Sequence, residues 1–380
     1  MRFLVFLLSV LMLCGCSGKQ EVTAEPTVIS ENTSADTAAE ETVPTLPPDP
    51  VRELLDEMSL EERVGQLFLA RCDDTVALSH IQEYNLGGFV LFGRDFEGLT
   101  PDSFREKIDT YQTCAEIPLL LAVDEEGGSV ARISSNRAFY DQTLPSSRDA
   151  YAWNGLLGCL TVEEAKCQLL QDLGLNVNLG PVCDISTQTN AFMYKRSLGQ
   201  DVQITSQYVD GTVQLMHAYK IGSCLKHFPG YGNNTDTHTG IAVDSRSLES
   251  LKENDLIPFA AGIQAGCGAI LVSHTIVKAL DPELPASLSP EVIRYLREEM
   301  GFEGVIVTDD LVMQAITDLY GAGEAAVMAV LAGNDLLCST EYMLQYEAVL
   351  AAVLDGRISI DVLNSAVRNV LEWKMELGLL

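Results

Sequence analysis

From residue 50 onward, short apolar runs rich in Val, Ile, Leu and Phe alternate with longer amphipathic stretches, and this alternation limits the fold more than any other feature. The candidate strands are Gly65 to Arg71, Gly88 to Phe92, Pro118 to Asp124, Asn176 to Asp184, Ile221 to Lys226, Ala269 to His274, Gly304 to Asp309 and Asn334 to Cys338. Helix-like segments fall between them: Pro50 to Glu62, Leu160 to Leu173, Asp201 to Ala218, Leu248 to Ala265, Pro290 to Met300 and Ala322 to Leu331. Continuous apolar runs, rather than alternating ones, mark strands buried on both faces, as in a parallel sheet flanked by helices. Eight such units predict an α/β chain closed into a (β/α)8 barrel of the triosephosphate isomerase type. The competing fold, an open doubly wound sheet, lacks its Gly-rich dinucleotide fingerprint after the first strand. A final amphipathic stretch, Asp361 to Leu377, repeats Leu363, Ala366, Val367, Val370 and Leu371 at helical spacing and is expected to pack on the barrel exterior, so that residues 50 to 380 form one catalytic domain with no second one.

The first 16 residues read as an export signal. Met1-Arg2 gives a cationic start, Phe3 to Leu13 an apolar stretch too short to span a bilayer, and Leu13-Cys14-Gly15-Cys16 resembles the lipobox of bacterial lipoproteins. On that reading Cys16 carries the lipid and the protein is anchored to the outer face of the cytoplasmic membrane; a plain secretory peptide cut nearby is the alternative. Residues 17 to 49 are Ser, Thr, Ala, Glu and Pro without aliphatic periodicity, which predicts a disordered acidic tether. With 54 acidic against 24 basic residues the formal charge is -30, which argues against nucleic acid or an anionic membrane surface as partner and suits a neutral substrate. Beyond Cys16 eight cysteines remain, most of them in apolar strand-like or helix-like settings, so free thiols are expected rather than disulfides. There is neither a Cys-x-x-Cys pair nor a His-x-x-x-His spacing, and neither a metal nor an organic cofactor is expected.

In a barrel of this kind chemistry sits at the carboxyl ends of the strands. Polar residues gather there: Asp124-Glu125-Glu126-Gly127-Gly128 after strand three, Asp184 after strand four, Lys226-His227 in strand five, Ser273-His274 after strand six and Thr308-Asp309-Asp310 after strand seven. Asp309, directly after a buried strand, can attack an electrophilic carbon, activate water or bind a cation, while Asp310 is suited to capping the next helix. The run Lys226-His227-Phe228-Pro229-Gly230-Tyr231-Gly232 cannot be a regular helix, and the following Asp236-Thr237-His238 lets a carboxylate orient one imidazole nitrogen and leave the other free to move protons.

Four motifs in order, Asp124-Glu-Glu-Gly-Gly-Ser-Val-Ala-Arg132, Arg196-Ser-Leu-Gly199, Lys226-His-Phe-Pro-Gly-Tyr-Gly232 with Asp236-Thr-His238, and Gly304-Val-Ile-Val-Thr-Asp-Asp-Leu311, together resemble the β-N-acetylglucosaminidases of glycoside hydrolase family 3. The resemblance runs from about Pro50 to the C-terminus. It implies a retaining two-step hydrolysis in which Asp309 is the nucleophile, His238 the acid and base, and Asp236 its orienting partner. It further implies that Asp124, Arg132, Arg196, Lys226 and His227 hold the N-acetylglucosamine ring of a carbohydrate substrate such as a peptidoglycan fragment. Two departures stand out: three residues, Asn233, Asn234 and Thr235, separate Gly232 from Asp236 where the family pattern has four, and Tyr231 replaces a histidine. The alternatives within the family are a β-glucosidase and an N-acetylglucosaminide phosphorylase, and from another class a non-catalytic muropeptide-binding lipoprotein.

Overall fold

The computed structural model describes residues 49–186, 188–234 and 240–380. The expected signal peptide, Cys16 and all of the tether but Asp49 lie outside the described residues.

Eight parallel strands form the barrel: β1 (Phe68–Arg71), β2 (Gly88–Leu91), β3 (Leu120–Val123), β4 (Val177–Asn178), β5 (Gly222–Phe228), β6 (Ala269–Val272), β7 (Val305–Thr308) and β8 (Leu337–Ser339). Their order around the sheet is β7-β6-β5-β4-β3-β2-β1-β8, and a parallel bridge between Val307 and Leu336 joins the two ends into a ring. The chain therefore folds as the expected (β/α)8 barrel. Residues Leu69, Val90, Leu120, Ala122, Val177, Cys224, Leu271, Val305 and Val307 fill a buried cluster distinct from the larger one that includes Phe68, Phe89, Leu121 and Ile306. Alternate residues of each strand thus face the barrel interior and the surrounding helices, so both faces of the sheet are apolar.

Local chemistry explains where the element boundaries depart from the sequence reading. Pro50 to Glu62 is not one helix, because Ser59 interrupts it and caps a second. The Ser59 hydroxyl accepts from Glu62 N at 3.2 Å, and the Glu62 carboxylate accepts from Ser59 N at 2.6 Å. That second helix, Leu60–Gln66, takes up the start of the first expected strand. Within it Gly65 meets the Tyr84 and Asn85 carbonyls so closely that a β-carbon would lie 1.9 Å from the first. Asp49 caps the first helix, Pro50–Glu57, by accepting from Arg52 N, and pairs with Arg368 at 2.7 Å.

The long strand expected over Asn176 to Asp184 is broken after Asn178, because Pro181 has no N–H to give the ladder. Pairing to β5 continues through Cys224 N to Gly180 O at 2.8 Å and Cys183 N to Lys226 O at 2.7 Å. The helix expected to begin at Leu160 starts at Ser147, with Asn154 and Gly155 outside helical geometry. Helices over Ala77–Tyr84, Pro101–Cys114 and Tyr342–Leu354 are additional to those expected. The C-terminal helix, Ile360–Glu376, packs Leu363, Ala366, Val367, Val370 and Leu371 inward, as its spacing predicts. Among the described residues no helix is long and apolar enough to cross a membrane, and all eight cysteines are free thiols.

Candidate active site

One cavity of about 820 Å³ opens at the carboxyl ends of the strands. Asp124, Arg132, Arg196, Lys226, His227 and Asp309 all line it, so all four motifs contribute to one cavity. Asp236 and His238 lie outside the described residues.

Asp309 follows β7 directly. Its backbone N–H donates to Val272 O at 3.0 Å, tying it to β6, and its carboxylate accepts from Asp310 N at 2.9 Å. Asp310 is braced from β8: its carboxylate accepts from Thr340 Oγ1 at 2.6 Å, Thr340 N at 3.1 Å and Val312 N at 3.2 Å. Buried His274 donates from Nε2 to the Asp310 carbonyl at 3.0 Å. Asp310 and His274, two of the polar residues the sequence placed on the rim, thus hold the segment that carries Asp309.

Across the cavity the strand-three and strand-five residues form a charge network. Lys226 Nζ is 2.6 Å from Asp124 and 2.7 Å from Glu126. Arg196 grips Glu126 with two nitrogens, at 2.6 and 3.0 Å, the bidentate geometry that guanidinium and carboxylate favour. Burial alone would raise the Glu126 carboxyl, but the Lys226 and Arg196 charges outweigh it and hold the group well below the usual carboxylate range. Burial likewise opposes the Lys226 ammonium, yet Asp124 and Glu126 keep its pKa above the ordinary value, so it stays charged. Arg132 reaches Asp124 only at 3.7 Å. It shares the Phe92 ring with Arg71, the two guanidiniums lying 5.5 and 4.5 Å from the ring centroid. Both arginines have a buried Nε without a hydrogen-bond partner, and both line the cavity.

His227 is nearly buried. Its Nδ1 lies 2.8 Å from Asp184, its Nε2 lies 3.2 Å from Arg196, and Tyr231 meets its ring edge-on at 5.2 Å between centroids. Tyr231 is 1% exposed and therefore packs. Gly230, at φ +119°, turns the chain where a β-carbon would strike Asp255.

Sequence reasoning assigned no role to Glu126, Asp184, Arg71 or Phe92. The first two sit inside stretches singled out for their polarity, but their partners are 70 and 43 residues away, so nothing local reveals the pairing. One group with metal-ligand composition, Cys72, Asp74 and Asp95, occurs among the described residues. Asp74 there is already engaged by Lys107 at 3.0 Å and Tyr111 at 2.8 Å, and none of the three lines the cavity.

The arrangement suits an uncharged polyhydroxylated ligand: a carboxylate for attack on one side, and paired charges able to give and accept hydrogen bonds on the other. Known proteins agree with it. Residues 59–373 match the glycosyl hydrolase family 3 N terminal domain. A beta-hexosaminidase of Xylella fastidiosa (strain M23) is 32% identical over 311 residues, covering 77% of this chain and 88% of the relative. Among solved structures, a glycoside hydrolase family 3 beta-N-acetylglucosaminidase from Paenibacillus sp. str. FPU-7 superposes with a TM-score of 0.79 at 31% identity, over 85% of this chain. The match spans 63% of that longer protein. A beta-N-acetylhexosaminidase from Beutenbergia cavernae DSM 12333 superposes with a TM-score of 0.75 at 26% identity, over 84% of this chain and 99% of the other. The chain belongs to glycosyl hydrolase family 3.

Proposed function

We propose that this glycoside hydrolase is a retaining exo-β-N-acetylglucosaminidase that removes terminal N-acetylglucosamine from glycans such as peptidoglycan fragments. The observation that carries the reading is the single cavity in which Asp309, held from β6 and β8, faces the Asp124–Lys226–Glu126–Arg196 network. In the first step Asp309 attacks the anomeric carbon and the glycosidic bond breaks, leaving a glycosyl ester; in the second, water cleaves that ester with retention of configuration. The sugar is held by Asp124, Arg132, Arg196, Lys226 and His227. His238, oriented by Asp236, protonates the leaving oxygen and later takes the proton from water. The names of the relatives support the sugar specificity.

The same proposal places residues 1–16 as a lipoprotein signal, Cys16 as the lipidated residue, residues 17–49 as a tether and residues 50–380 as the catalytic domain on the outer face of the cytoplasmic membrane. The sequence features of the first 49 residues support it.

The test is release of nitrophenol from the β-N-acetylglucosaminide and from the β-glucoside, by the native chain and by Asp309→Ala, with and without phosphate. Turnover of the first substrate alone, lost in the variant, is expected. Absence of turnover by the native chain refutes the function, and undiminished turnover by the variant refutes the nucleophile. A sugar 1-phosphate formed in phosphate would make the enzyme a phosphorylase.

A further inference from the structure

We infer that Asp184 is a positioning residue that fixes His227 as the neutral Nδ1–H tautomer, so that Nε2 accepts from the Arg196 guanidinium beside the cavity and His227 never acts as a proton donor. The inference rests on the proposed sugar-binding roles of His227 and Arg196 and adds to them the direction of the hydrogen bond between the two and the group that sets it.

The partners of the two ring nitrogens differ in whether they can donate. Asp184 is 1% exposed and its carboxylate is an acceptor. It lies 2.8 Å from His227 Nδ1, which must therefore carry the proton. At the other nitrogen the neighbour is the Arg196 guanidinium, 3.2 Å from Nε2, and a guanidinium can only donate. Nε2 must therefore present its lone pair. Arg196 is not free to turn away, because Glu126 holds it bidentately. An acceptor on one side and a donor on the other leave one consistent protonation pattern.

Asp184 also sets where the ring stands. Besides Nδ1 it accepts from His227 N at 3.1 Å and from Tyr231 N at 2.7 Å, so one carboxylate binds both ends of the turn from 227 to 231. Arg246 adds a bond to the carbonyl of Gly230 at 3.1 Å. The Tyr231 ring, edge-on to His227, then closes the remaining freedom of the imidazole plane. The two histidines of the motif Lys226 to His238 thereby differ in kind: His227 is locked as an acceptor, and proton transfer is left to the other.

Asp184→Asn keeps the size of the side chain but replaces one acceptor oxygen by a donor. Whichever way the amide turns, a donor then faces the His227 Nδ1–H or a backbone N–H; the ring escapes the first clash only by moving its proton to Nε2, against Arg196. Two measurements test the inference. Nitrogen-15 spectra of the imidazoles, with His227 assigned by its loss in His227→Gln, are expected to show Nδ1 protonated and Nε2 bare in the native protein at neutral pH. A protonated Nε2 overturns the inference, and this readout needs no turnover. Kinetics of Asp184→Asn, His227→Gln and the double variant form a cycle. Asp184→Asn is expected to lower kcat/KM about tenfold or more in the native background and by less than about twofold once His227 is replaced. Equal losses in both backgrounds mean that Asp184 acts only on general stability and overturn the positioning role. A native chain that turns over no N-acetylglucosaminide defeats the proposed function and leaves the tautomer to be decided by the spectra.

Discussion

Lys374 offers a sharp test of the energetics. It lies on the C-terminal helix, is fully buried, and donates from Nζ to Gln66 Oε1 at 2.7 Å; among the described residues no carboxylate pairs with it. Burial brings its pKa down to about 7 from the usual 10.5. Each pKa unit is about 1.4 kcal/mol, so the buried site disfavours the ammonium by roughly 5 kcal/mol, nearly all of which burdens the fold at pH 7. Lys374→Met removes that burden and leaves Gln66 Oε1 without its donor, at a cost of about 1–3 kcal/mol. The variant should be more stable than the native chain by roughly 2 kcal/mol at pH 7.

The pH dependence carries the decisive sign. Because the folded value is depressed, the unfolded chain binds more protons between pH 7 and 10.5, and the Lys374 contribution to native stability rises with pH across that window. The advantage of the variant should therefore shrink by about 1.4 kcal/mol per pH unit above pH 7 and reverse before pH 10.5. Urea unfolding of both proteins at pH 7, 8 and 9, at one ionic strength, measures it. A difference that stays constant or grows with pH refutes the reasoning.

Glu126→Gln leaves Lys226 and Arg196 short of a counter-charge, and kcat/KM is expected to fall about 100-fold, equivalent to about 3 kcal/mol; steady-state kinetics on the β-N-acetylglucosaminide would show it. Thr340→Val removes the hydroxyl bond to Asp310 at 2.6 Å and should lower kcat about tenfold with little change in KM, since it touches the support of the proposed nucleophile Asp309 and not the proposed sugar-binding side. Native titration with Ellman's reagent should find at most one fast thiol in the barrel, Cys114, the only one of the eight that is not buried. Burial pushes Cys159 up to about 11 and Cys224 up to about 12, so a second fast thiol would contradict the packing.

The eight strands were legible because a doubly buried parallel strand must be apolar throughout, and runs such as Val305-Ile306-Val307 meet that demand without help from distant residues. Boundaries were legible only where the local signal had no rival. Ser59 reads as an ordinary polar residue until Glu62 is seen to answer it, and Pro181 breaks a run that otherwise looks continuous. Site residues with a single local cue, such as Asp309 after its strand, could be placed. Glu126 and Asp184 could not, since what defines them is a cation or an imidazole brought in from across the barrel.

The order of the strands has a consequence for biosynthesis. β1 finds its second neighbour only in β8, and the bridge from Val307 to Leu336 waits for the same segment. Until the last strand emerges from the ribosome, the nascent sheet has two open edges, each a template for pairing with another chain. Asp310 lacks its Thr340 clasp for the same period. A chain stopped anywhere before residue 340 should therefore be both inactive and prone to aggregate, so the enzyme matures in one late step.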